Sequence, residues 1–154
     1  RQLVALTFKQ LLQTFFGEKY TFDEVNFSLQ YVKIPLNNQA HKVLSEGEKE
    51  VIAFCYYLAS VHTLVNLEED YDKVVLVIDD PVAHMDERYS HYVCEVLSQL
   101  SDLYYLQEEM KYIILSHSQA FIETLVQRKC IEKSYTLGEN AISLGSAEVA
   151  VSIR

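Results

Sequence analysis

Asp79 and Asp80 stand side by side where an unbroken apolar run, residues 74–78 (VVLVI), gives out, and Pro81 follows them. Adjacent carboxylates at the mouth of a buried strand are costly unless a cation or hydrogen-bond donors meet them. A second apolar run, residues 112–115, ends at Ser116-His117-Ser118. Taken alone, that histidine is a lone polar residue at a strand end. A third stretch, LSEGEKE over residues 44–50, gives Ser45 and Glu48 the S-x-x-E spacing of a capping box. Gly47 suits a capped first turn poorly, since glycine weakens a helix by up to ~1 kcal/mol relative to alanine. A helix start with a hydroxyl, open N–H groups and no side chain in the way is also an anion site. On these residues alone, both readings of LSEGE stand.

These groups need elements to hold them. Residues 3–16 (LVALTFKQLLQTFF) are amphipathic at helical spacing and close near Gly17. Residues 21–36 alternate well enough for one or two strands, broken before Asn37-Asn38. The long helix that Ser45 would cap places Ile52, Cys55, Tyr56, Ala59 and Leu64 near one face, and an acidic loop, Glu68-Glu69-Asp70, closes it. Without polar alternation, residues 74–78 suit a strand covered on both faces, as in a parallel sheet. A helix from about Asp86 to Leu106, the strand at 112–115 and a helix through about Arg128 follow. The segment SYTLGENAISLG is expected as a hairpin whose turn is Gly138-Glu139-Asn140. Strand, helix, strand, helix spells an α/β fold with parallel strands flanked by helices. Ligand groups are then expected at the strands' C-terminal ends, where Asp79, Asp80 and His117 fall.

With 154 residues, 49% of them hydrophobic, the chain can bury one ordinary core, so a single domain is expected. Its 22 acidic and 13 basic side chains give a formal net charge of -9, which argues against a general grip on nucleic acid through this segment. Cys55, Cys94 and Cys130 are odd in number and widely spaced, the pattern of reduced thiols in a cytoplasmic protein rather than of structural zinc. No apolar run reaches the ~18 residues of a membrane helix.

The order of these pieces resembles the C-terminal lobe of an ABC-type ATPase domain, a P-loop NTPase, over roughly residues 30–126. LSEGE resembles the signature motif, VVLVIDD the Walker B strand, AHMD the D-loop and Ser116-His117 the switch-histidine loop. LSEGEK together with IDDP is similar to the branch related to SMC and DNA-repair ATPases. Within it, the ATPases of RloC and PrrC anticodon nucleases and of related antiphage systems (Septu, retron) are the nearest in wording. The resemblance implies ATP and Mg²⁺ as ligands, with Asp79 on the metal, Asp80 as general base and His117 on the γ-phosphate. Aspartate stands at position 80 where most ABC-type ATPases carry glutamate, although Asp-Asp is the form the resemblance to this particular subfamily implies. Ser45, Gly47 and Glu48 would serve an ATP held by the opposite subunit of a homodimer, and Asp86 would cross the dimer interface while capping the next helix.

None of the four glycines begins a G-x-x-x-x-G-K-[ST] phosphate loop. In the SMC-like branch that loop lies in an N-terminal lobe beyond a long insertion. That lobe of the same protein is therefore the expected partner, and residues 1–16 are the expected end of the insertion. The function implied is an ATP-driven dimeric switch controlling a fused or separate nuclease effector, with no membrane role and with nucleic acid bound, where it is bound, by other regions. The competing function is a slow or non-hydrolysing ATP-gated clamp or scaffold.

Overall fold

Apolar residues at helical spacing close the N-terminal segment into helix α1 (Gln2–Phe16), which buries Val4, Ala5, Phe8, Leu11, Leu12 and Phe15. Gly17 ends it with a left-handed φ of +59°, and its N–H donates to the Gln13 carbonyl at 2.8 Å, a closure that glycine makes without a Cβ penalty. The computed structural model describes residues 2–65, 68–84, 86–104, 106, 109–137 and 142–144. The chain forms two compact units, Arg1–Asp70 and Tyr71–Arg154.

In the first unit an antiparallel meander follows α1: β1 (Tyr20–Asp23), β2 (Ser28–Tyr31) and β3 (Ile34–Pro35), with Tyr20 opposite Tyr31 and Tyr31 opposite Ile34. The alternation expected to give one or two strands thus gives three. A 3₁₀ turn and the short α2 (Ala40–Val43) lead to α3 (Glu46–Ser60), which packs on α1. Phe15 meets Phe54 edge-on at 6.3 Å between ring centroids, and Phe8 meets Phe22 at 5.0 Å, the arrangement aromatic quadrupoles favour. The buried face of α3 is Val51, Phe54, Cys55, Leu58 and Ala59. The expected face is corrected at two positions: Tyr56 is 49% exposed and Leu64 77%.

In the second unit β4 (Val75–Asp79) and β5 (Lys111–Leu115) pair in parallel, Val75 opposite Lys111 through Asp79 opposite Leu115. Leu76, Ile78 and Ile114 are buried with Val93, Cys94, Val96 and Leu97 of α4 (Glu87–Ser98) and Phe121, Ile122 and Leu125 of α6 (Gln119–Gln127). Gln99, at φ −115° and ψ 12°, separates α4 from the short α5 (Leu100–Leu103), so the helix expected to run to Leu106 is broken. The strand at 74–78 is corrected as well. Val75 and Val77 are 50% and 53% exposed, so β4 buries one face, not both. The hairpin forms from β6 (Tyr135–Leu137) and β7 (Ile142–Leu144), antiparallel, with its turn at 138–140 outside the described residues. Cys55 and Cys94 are buried free thiols, and Cys130 is half-buried. No helix among the described residues is long and apolar enough to cross a membrane.

Candidate functional site

The parallel ladder delivers two chain ends to one place. Asp79 is the last residue of β4 and is exposed, on the pleat face it shares with Val75 and Val77. Asp80 then leaves the strand with φ +48°, while its N–H still donates to the Leu115 carbonyl at 2.6 Å. Asp is among the few non-glycine residues that populate this left-handed region readily, because its short side chain bonds locally. The turn swings the carboxylate toward the end of β5, where Asp80 Oδ2 lies 3.4 Å from His117 Nδ1.

His117 is held from both sides by serine. The buried Ser116 accepts the Ser118 N–H on its Oγ at 3.0 Å. Ser118 in turn caps α6, accepting the Phe121 N–H at 3.2 Å. The loop is therefore fixed by its neighbours while the imidazole itself stays 71% exposed and the Asp80 side chain 32%. A carboxylate and an imidazole so paired, one of them largely open to solvent, can orient a water and take its proton. Asp86 caps α4, accepting the Arg88 N–H at 2.8 Å and the Arg88 guanidinium at 3.0 Å. The guanidinium and that backbone N–H hold its carboxyl below the ordinary 3.8.

Ser45, Gly47 and Glu48 open α3 in the first unit. Both halves of the capping box are present: Ser45 Oγ accepts the Glu48 N–H at 3.1 Å, and Glu48 Oε1 accepts the Ser45 N–H at 3.3 Å. The cap uses an acceptor lone pair of the hydroxyl and leaves its proton to donate. Ser45 is exposed, and Gly47 is half-buried. Glu48 itself, grouped by resemblance with the ligand contacts, gives its second oxygen to Lys19 Nζ at 2.9 Å. Burial pushes the Glu48 carboxyl up, but hydrogen bonds from Lys19, Tyr20 and Ser45 outweigh it and hold the group below its ordinary 4.5. Lys19 was not singled out by the sequence; an ion pair spanning 29 residues leaves no local pattern to read.

No group of three or more His, Cys, Asp or Glu side chains among the described residues is arranged to enclose a metal. Open carboxylates at a strand end suit Mg²⁺, which keeps several waters and takes only one or two protein carboxylates beside phosphate oxygens. The family described as AAA domain matches residues 4–142 of the chain. A solved structure from work on the structural biochemistry of ATP-driven dimerization and DNA stimulated activation of SMC ATPases shares the fold. Its TM-score is 0.60 at 13% identity, over 96% of this chain and 86% of that one. No curated protein matches the chain significantly.

Proposed function

The chain belongs to the AAA domain family, and from that premise we propose that it is the C-terminal lobe of an SMC-like ATPase of the ABC type. It binds and hydrolyses ATP as a dimer once a second lobe supplies the phosphate loop. The observation that carries the reading is the approach of Asp80 to His117 across the ends of two paired parallel strands. Asp80, as general base, accepts the proton of the water that attacks the γ-phosphate, and the imidazole 3.4 Å away orients that water and meets the phosphate. Asp79, on the open face of the strand, is the carboxylate placed to hold Mg²⁺ through its waters. When bound, the ion offsets the charge on the phosphates. Ser45 and Gly47 serve an ATP held by the opposite subunit, with the hydroxyl donating and the glycine leaving room for the phosphate to approach. Asp86 is the D-loop acid, its carboxylate kept ionised by Arg88 while it caps α4.

The pairing of LSEGEK with IDDP supports a place beside the RloC, PrrC and antiphage ATPases. In that setting the dimer switches a nuclease effector, in the cytoplasm. The test is Asp80→Asn in the full-length protein. Steady-state hydrolysis should fall ~10²- to 10⁴-fold, the usual contribution of a general base, while ATP-induced dimers accumulate. Asp79→Asn should instead weaken Mg²⁺-dependent ATP binding. Wild-type turnover by Asp80→Asn would remove Asp80 from the chemistry. Slow turnover by the wild-type protein itself would favour the clamp.

A further inference from the structure

The start of α3 carries a contradiction. A helix N-terminus attracts an anion, but this one already holds a carboxylate in its first turn, largely buried, where the lower local dielectric strengthens repulsion of a second anion. The Glu48 side chain is only 12% exposed. Both its oxygens are directed to protein donors, one to the Ser45 N–H and the other to Lys19 Nζ at 2.9 Å. Lys19 sits where α1 has ended and β1 has not begun, two residues past the left-handed Gly17. Its carbonyl accepts the Val32 N–H at 2.9 Å, which anchors its backbone to the meander. Its ammonium also lies 5.2 Å from the centre of the Tyr20 ring, which narrows where the side chain can go.

We infer that Lys19 is a positioning residue for ATP-driven association: paired with Glu48, it fixes the Ser45–Gly47 turn and cancels the carboxylate charge that would otherwise repel the incoming γ-phosphate. This rests on the reading of Ser45 and Gly47 as contacts to an ATP held in trans. Lys19 touches no nucleotide in this scheme; it acts through Glu48. The Lys19 side chain is 46% exposed, so the pair contributes little to fold stability and its effect is concentrated at the helix start. The same lysine ties the end of α1 to the start of α3, so a shift of α1 is felt at the phosphate contact.

The experiment uses the full-length protein with Mg²⁺ and measures three quantities: the ATP concentration at half-maximal dimerisation, ATP affinity at protein concentrations too low for dimers, and the thermal midpoint. Lys19→Met should raise the first by roughly tenfold, as expected for one uncovered like charge near a partly shielded phosphate, and leave the second unchanged. Lys19→Arg should behave as wild type. Glu48→Gln alone should lower the ATP needed. Combined with Lys19→Met, it should erase the defect, because no charge is then left unpaired. A merely structural lysine would lower the thermal midpoint without moving the ATP requirement, and that result overturns the inference. So does a double variant as defective as Lys19→Met, or a Glu48→Gln protein that needs more ATP. Wild-type protein that does not dimerise on ATP sinks the parent reading and this inference together. Wild type that dimerises, with Lys19→Met indistinguishable from it, sinks the inference alone.

Discussion

Asp80 is a residue whose backbone and side chain explain one another. Its φ of +48° lies in a region where non-glycine residues carry strain, and such strain persists only where the surroundings impose it. Here the 2.6 Å bond from its N–H to the Leu115 carbonyl and the approach to His117 supply that constraint. If Asp80 is the general base proposed above, the left-handed turn offsets the methylene it lacks relative to glutamate, since the backbone carries the short carboxylate to the imidazole. Under the proposed function, replacing Asp80 with the glutamate that most ABC-type ATPases carry should then slow turnover. Asp80→Glu should fold but hydrolyse ATP at least about tenfold more slowly, with the longer side chain carried off the imidazole and the backbone less suited to αL. Turnover equal to or above wild type would show that the backbone turn does not set the reach. The sequence displayed the two acids and the histidine, because residue types at strand ends are local facts. It did not display the φ of Asp80, which depends on the partner strand.

At the scale of elements, α3 is the instructive case. Its start was legible, because S-x-x-E marks a cap from sequence alone, and both reciprocal bonds formed. Its buried face was not, because two apolar registers overlap: both contain Cys55 and Ala59, and only packing on α1 selects Val51, Phe54 and Leu58 over Tyr56 and Leu64. The cap and the glycine can be separated experimentally. Ser45→Ala should cost about 0.5–2 kcal/mol of stability, measured by denaturant titration, as for other N-caps. Gly47→Asp adds a charge that a γ-phosphate would meet, so it should abolish ATP-induced dimerisation with circular dichroism unchanged. A folded Gly47→Asp protein that dimerises like wild type would reduce LSEGE to a capped helix. Acid provides a second handle on the same turn. Glu48 is held below its ordinary 4.5 when folded. Its contribution to stability is therefore complete above that pH and lost as pH falls through the folded value. Unfolding midpoints followed from about pH 6 down to about pH 3 should drop more steeply for wild type than for Glu48→Gln; parallel curves would mean the carboxylate is not stabilised by its partners.

At the scale of the molecule, the parallel pair β4–β5 is unfinished. Parallel sheets occur almost only with both faces covered, yet Val75, Val77 and Ile113 are 50%, 53% and 47% exposed. Register puts these three on one pleat face, with Val77 directly opposite Ile113 and Asp79 at its end. A continuous apolar run announced a strand fit for two covered faces, but a run cannot say which layer a given stretch of chain supplies. Under the proposed function, the lobe that brings the phosphates would also cover this face next to Asp79. Two outcomes follow. This chain alone should show no appreciable ATP turnover, and adding the phosphate-loop lobe of the same protein in trans should restore it. Ile113→Asp, at a half-exposed strand position, should cost about 1 kcal/mol or less of this chain's own stability, but should weaken binding of the added lobe and lower the restored turnover. Val25→Asp, at a position 91% exposed in the other unit, is the matched control and should do neither. Titrating the added lobe against each chain, with turnover and calorimetric binding read together, decides the matter. Robust hydrolysis by this chain alone would end the split-lobe account. Restoration that Ile113→Asp leaves untouched would keep the two lobes but move their interface off this face of the sheet.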